Sequence, residues 1–244
     1  MKLRESLDES MLVLVSLPPR ARTALALTTV MGVLISFAFL TSRPAPASND
    51  LPSVVSSVDS ALRVAVMIEG DGVYGAGILI DPHRGLVLTN HHVVQDMHTM
   101  RLTGYTGRTS PGVIMAIDAK RDLALVQAPM LVFPDMLPPR LGDAGRLHPG
   151  DSVFAVGMPR KLAFTVSRGI VSYVGRELEG THYLQVDMNI NDGNSGGPVV
   201  DSTGEVVGVM SFIYRRAQGL SFAVPTTEIA AAFPSALPPI PPKL

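Results

Sequence analysis

From about Leu51 to Pro225 the chain is written in short β-branched runs, each cut off by Gly, Pro or Asp, and this rhythm constrains the fold more than any other feature. The first set of candidate strands is LRVAVMIE (62–69), VYGAGILI (73–80), LVLT (86–89), GVIMAI (112–117) and LALVQ (123–127). The second is SVFAV (152–156), FTVSRGIVSYV (164–174), YLQVD (183–187), EVVGVMSFI (205–213) and GLSFAV (219–224). Runs this short, with turn residues between them, argue for an all-β barrel or sandwich. The proline-rich stretch 128–151 has no alternation and reads as a connection between two half-domains. An apolar fraction of 46% is enough to fill the cores of both.

The two ends differ from this body. PTTEIAAAF (225–233) predicts a final helix, with Thr226 or Thr227 as its cap and Glu228 in the first turn, where a negative charge suits the dipole. The proline-rich tail 234–244 cannot continue it. Near the other end, Thr23 to Leu40 runs without a charge for about the width of a membrane. Arg20 and Arg22 precede this run, so the pattern favours an N-terminus inside the cytoplasm and the remainder outside. The organisation read from sequence is therefore a cytoplasmic segment 1–22, a transmembrane signal anchor 23–41, a linker 42–60, a catalytic-type domain 61–233 and a tail 234–244. A signal peptide cleaved after APA (45–47) is the alternative, which would release the domain as a secreted protein.

Composition removes several classes of function. A formal net charge of -1 offers no electrostatic footprint for nucleic acid. With no cysteine, disulfides, thiolate metal sites and a cysteine nucleophile are excluded. His91, His92 and His98 have no carboxylate at a familiar metal-ligand spacing, so neither a metal nor a cofactor is expected.

The stretch DGNSGGPVV (192–200) holds a serine in a glycine-rich turn, which a plain turn would use equally well. What decides its reading is whether the chain also supplies a base, an acid to orient that base, and donors for a developing oxyanion. One candidate for each is present: His92 after a predicted strand, Asp122 opening DLALV, and Ser195 in GNSGG. The order His, Asp, Ser is that of the two-barrel architecture. Asp118 lies four residues before Asp122, but the apolar LALV after Asp122 sets that residue at the start of a buried strand.

These segments resemble a trypsin-like serine protease of the HtrA (Deg) type. The likeness rests on YGAGILI, LTNHHVV, RDLALV, GMPRKLAFTVSRGIVSYVGR, VDMNINDGNSGGPVVDSTGEVVGV and GLSFAVP, which span nearly all of residues 62–229 in the family's order. The resemblance implies a two-barrel, Greek-key chymotrypsin-like fold, to which the residues themselves add a short C-terminal helix and one N-terminal transmembrane helix. It implies a serine endopeptidase with Ser195 as nucleophile, His92 as general base and Asp122 as its orienting acid. Gly193 and Ser195 would supply the oxyanion N–H groups. His92, not His91, matches the base, because it directly precedes VV. The substrate pocket would involve Ile190, Met210, Ser211, Phe212 and Ile213, small and aliphatic, with substrate adding as a strand beside Met210–Phe212. Extended or unfolded polypeptides would be the substrates, outside the cytoplasm, in quality control or processing.

Some positions depart from the family's pattern. About ten residues follow the final helix, which leaves no room for the family's PDZ module within this sequence. The segment before the first strand lacks the aromatic residues that the family uses to trimerise. Asp192 sets a carboxylate beside the oxyanion glycine. Asn194 stands where proteases switched on by propeptide cleavage carry an aspartate, so the residues argue against that mode of activation.

Overall fold

A computed structural model of the chain describes residue 18 and residues 51–188, 191–213 and 219–237. Its elements begin with α1 (Leu51–Val64), β1 (Ala65–Gly70), β2 (Val73–Asp81), β3 (Leu86–Thr89) and α2 (His91–Val94). Next come β4 (Arg101–Gly104), β5 (Thr109–Pro111), β6 (Val113–Asp118) and β7 (Leu123–Gln127). The second half holds β8 (Ser152–Gly157), β9 (Thr165–Leu178), β10 (Thr181–Asp187), β11 (Pro198–Asp201), β12 (Val206–Ile213), β13 (Ser221–Pro225) and α3 (Thr226–Ala232).

The strands form two units, as the two sets in the sequence predict. The first is an antiparallel sheet in the order β5-β4-β1-β2-β3-β7-β6. Its two end strands are consecutive in the chain: β5 pairs with β4 and β6 with β7, so the bend at Gly112 draws the ends together. The N–H of Gly112 donates to the carbonyl of Met100 at 3.0 Å across that join. The second unit is a closed barrel, β10-β13-β12-β11-β8-β9. This is the two-barrel, all-β architecture that the resemblance implies.

The three larger apolar cores among the described residues follow from which face each side chain takes. Leu79, Val87, Ala124 and Val126 fill the first barrel, and Val153, Ala155, Leu184, Val186 and Met210 fill the second. Ile78, Ile80, Leu86, Leu88, Leu123 and Leu125 face the other way, into a seam they share with Phe154, Val156, Val209, Phe222 and Ile229. β3 and β7 are thus buried on both faces, which is why LVLT and LALV read as unbroken apolar runs. The ends of these same strands carry the candidate base and acid, so both groups emerge at the edge of the seam between the barrels.

The sequence reading is corrected in three places. Residues 62–64 end a helix and do not begin a strand, and residues 51–60 of the expected linker belong to that helix. Ala61 and Val64 of α1 are buried in the seam core, and Ser57 Oγ donates to the carbonyl of Ser202 at 2.6 Å. β4, β5 and β11 were not predicted; at three or four residues, with Pro111 and Pro198 in two of them, they are too short for alternation to register. The final helix is present, but Pro225 holds its cap position with no side-chain cap. The hydroxyl of Thr226 instead donates to the carbonyl of Gly142 at 2.6 Å and ties α3 to the connector. The expected membrane anchor, 23–41, lies outside the described residues, among which no helix is long and apolar enough to cross a membrane.

Candidate functional site

β3 ends at Thr89, whose buried hydroxyl donates to the carbonyl of Ala76 at 2.7 Å. The chain then enters the single turn α2, anchored by Val93 and Val94 in the first barrel's core. This helical turn separates the two histidines by about 100° of rotation. His91 gives its backbone N–H to the carbonyl of Asp122 at 3.2 Å. Asn90 Nδ2 donates to the same carbonyl at 2.8 Å.

His92 is bound to Asp122 twice. Its backbone N–H donates to Asp122 Oδ1 at 2.9 Å, and its ring Nδ1 lies 2.7 Å from Asp122 Oδ2. An ionised carboxylate at that distance requires the ring proton on Nδ1, which leaves the Nε2 lone pair as the acceptor. Asp122 itself has a left-handed backbone, φ +55°. Aspartate enters that region more readily than most residues, at a cost of about 1–2 kcal/mol. Two hydrogen bonds to its carbonyl, worth roughly 1 kcal/mol each, offset that cost.

Ser211 adds a contact from the other barrel. The register between β12 and β13 shifts between Met210 and Phe212, so Ser211 is the extra residue of a bulge. A bulge re-aims the side chain it carries. Here Ser211 Oγ donates to Asp122 Oδ2 at 2.9 Å.

The loop around Ser195 is fastened to three elements. Ala76 N–H on β2 donates to the carbonyl of Ser195 at 2.8 Å, Gly196 N–H to Met210 at 2.7 Å, and Met158 N–H to Gly193 at 2.9 Å. Gly193 and Gly196 sit at φ +102° and +86°. A Cβ at Gly196 would run into the carbonyl of Ala76 and the hydroxyl of Thr89, and one at Gly193 into the carbonyl of Met158. These positions therefore demand glycine. Among the described residues, the N–H groups of Gly193 and Ser195 have no backbone acceptor. Ser195 Oγ donates to the carbonyl of Ser211 at 3.0 Å, and not to His92.

These residues meet in one cleft of about 230 Å³, lined among others by Val73, Tyr74, His92, Gly193, Ser195 and Phe212. Val73 and Tyr74 were not singled out in the sequence, because an apolar pair opening a strand carries no signal of a cleft wall. The structure also corrects the predicted pocket. Met210 is fully buried in the second barrel's core. Its N–H is taken by Gly197 and its carbonyl by Gly196, so it has neither side chain nor backbone to offer a substrate. Ser211 and Phe212 do line the cleft. Ile190 and the side chain of Ile213 lie outside the described residues. Asp118 is not the partner of His92; its carboxylate is held by Arg121 at 2.8 Å. Asp192 is exposed at the cleft beside Gly193.

Comparison with known proteins agrees with this geometry. The family model described as a trypsin-like peptidase domain matches residues 75–209. Putative protease Do-like 14 of Arabidopsis thaliana is 42% identical over 172 residues, which cover 64% of this chain and 39% of the relative. A probable periplasmic serine endoprotease, DegP-like, of Marinomonas sp. is 40% identical over 159 residues, covering 62% of this chain and 33% of the relative. The chain thus spans little more than a third of the length of these curated relatives. Among solved structures, the HtrA-type protease AlgW with a tripeptide superposes with a TM-score of 0.70 at 27% identity, over 75% of this chain and 63% of the other. The serine endoprotease from Yersinia pestis gives 0.67 at 29% identity, over 80% of this chain and 68% of the other. The chain belongs to the trypsin-like peptidase domain family and is similar, within it, to the HtrA-type proteases.

Proposed function

We propose that the chain is a serine endopeptidase that cuts extended or unfolded polypeptides through an acyl-enzyme. The observation that carries the reading is the linked set of contacts from His92 to Asp122, from Asp122 to Ser211 and from Ser211 to Ser195, which draws residues of both barrels into one cleft. Rotation about χ1 of Ser195 moves its hydroxyl from the Ser211 carbonyl to Nε2 of His92. His92 takes the hydroxyl proton as Oγ attacks the scissile carbonyl, and Asp122 stabilises the imidazolium so formed. The N–H groups of Gly193 and Ser195 receive the oxyanion, an interaction worth roughly 3 kcal/mol per donor. His92 then gives the proton to the leaving amine, and water resolves the acyl-enzyme by the same steps in reverse.

Ile190 and Ile213 favour a small aliphatic residue on the acyl side of the cut. The apolar run 23–40 supports a membrane tether with the barrels outside the cytoplasm, and the word periplasmic in the name of the Marinomonas relative supports the same side. Quality control or processing of extracytoplasmic proteins is the role this combination fits. The test is digestion of an unfolded protein and of a peptide panel by the full chain and by Ser195→Ala. Cleavage after Val or Ala that vanishes in the variant supports the reading, and strongest cleavage after Arg contradicts the pocket assignment. Binding of peptide without cleavage by either protein would instead mark a catalytically silent peptide-binding module.

A further inference from the structure

Arg121 directly precedes the acid of the site and reaches away from it, across the seam. Its Nε lies 2.7 Å from Glu228 Oε2 on α3, and its Nη1 2.8 Å from Asp118 Oδ2 at the end of β6. Its backbone N–H also donates to Asp118 Oδ1 at 3.0 Å, which closes the β6–β7 loop on itself. Glu228 in turn takes a contact from His182 Nδ1 on β10 at 3.2 Å. The hydroxyl of Thr181, the neighbour of His182, faces the carbonyl of Lys120 in the same loop at 3.4 Å. One loop of the first barrel is thus held to two elements of the second, one residue away from Asp122.

The three charged side chains are 16–25% exposed, so solvent screens this network less than a surface pair. Burial works against charge on Glu228 and Asp118, but hydrogen bonds from Arg121, joined at Glu228 by those from His182, together outweigh it and hold both carboxyls below the usual range. The same two partners raise the already high value of Arg121. None of these groups touches Ser195 or His92 in the contacts described above, so the protease mechanism has no direct use for them.

From this geometry we infer that Arg121 is a positioning residue, which acts through Glu228 to set the Asp122 loop of the first barrel against the second barrel that carries Ser195. The inference rests on the protease reading and adds a residue to it. Asp122 occupies a left-handed position, and its carboxylate must meet His92 and Ser211 at once. A small shift of the loop would break one of those contacts. The Arg121–Glu228 pair fixes the loop from outside the cleft.

The experiment uses the full chain. Arg121→Met is expected to lower kcat roughly tenfold to a hundredfold with KM changed less than about twofold. Arg121→Lys should restore part of the loss, because it keeps the charge without the planar fork. In an Asp122→Asn background the Arg121→Met change should cost almost nothing, since the group it positions is already disabled. An unchanged kcat, or an equal loss in both backgrounds, overturns the inference. Glu228→Gln, on the outer helix, serves the same comparison if Arg121→Met does not fold.

If the wild-type chain shows no Ser195-dependent turnover, the protease reading fails, and positioning is then read by proton NMR of Ser195→Ala protein. The low-field resonance of the His92 Nδ1 proton on Asp122 should move or broaden when Arg121→Met is added. A resonance that stays where it was overturns the inference.

Discussion

Ser195 and Ser211 hold each other in this structure: the hydroxyl of Ser195 donates to the carbonyl of Ser211 at 3.0 Å, while the hydroxyl of Ser211 donates to Asp122. Ser211 is thus linked to the nucleophile through its backbone and to the acid through its side chain. Removing only the side chain separates the two roles. Ser211→Ala loses one hydrogen bond to a charged carboxylate, worth about 1.5–3 kcal/mol, of which Asp122 recovers part from water. A fall in kcat of about tenfold, with KM nearly unchanged, is the expected outcome of steady-state kinetics.

Asp192 stands exposed beside Gly193. A carboxylate there opposes the negative charge that forms on the substrate oxygen. At a water-like dielectric a charge within several ångströms of the oxyanion costs about 0.5–1 kcal/mol. Asp192→Asn should therefore raise kcat roughly two- to fivefold, and unchanged or lower turnover by a folded variant would contradict the assignment.

Asn194 is 3% exposed, and its Oδ1 has no hydrogen-bond partner among the described residues. A carboxylate in its place would carry a full charge into this buried position. Asn194→Asp should lose roughly 3 kcal/mol of stability, visible in denaturant unfolding, and should gain no activity on trimming the N-terminus. Increased activity after such trimming would show that this loop can be switched by a new amine.

Asp118 and Glu228 titrate below the usual carboxylate range in the folded protein, because hydrogen bonds from Arg121, and at Glu228 also from His182, together outweigh their burial. Their contribution to stability is complete above about pH 5.5, where the unfolded carboxyls are ionised. It is lost as the pH falls through the lowered folded values. Melting temperatures measured from pH 7 to pH 2 should therefore drop more steeply for the wild type than for Arg121→Met below about pH 4. Parallel curves would mean that Arg121 does not hold these carboxyls.

Much of the fold was legible because burial on both faces leaves a mark. β3 and β7 appeared as LVLT and LALVQ at their observed bounds, and the connector showed itself by proline and the absence of alternation. α1 was read as linker and strand because its apolar face is short and the next residues, Ala65 onward, continue as β. His92, Asp122 and Ser195 were legible as residue types in order, and the structure brings His92 onto Asp122 and sets Ser195 in the same cleft. Met210 misled because, in register with Ala223, it packs into the core, while the bulge that follows re-aims Ser211 at the cleft, and no residue type in EVVGVMSFI announces a bulge. Arg121 escaped notice for a similar reason: its partner is 107 residues away, and only the packing of α3 on the second barrel brings the two together.

The most direct test of the central claim is reaction of the full chain with a fluorophosphonate, read by mass spectrometry of its peptides. The account predicts one adduct, on Ser195, absent from Ser195→Ala and slowed by more than about a hundredfold in His92→Ala, where the general base is gone. A well-folded chain that takes no adduct at Ser195, or labels at the same rate without His92, would contradict it.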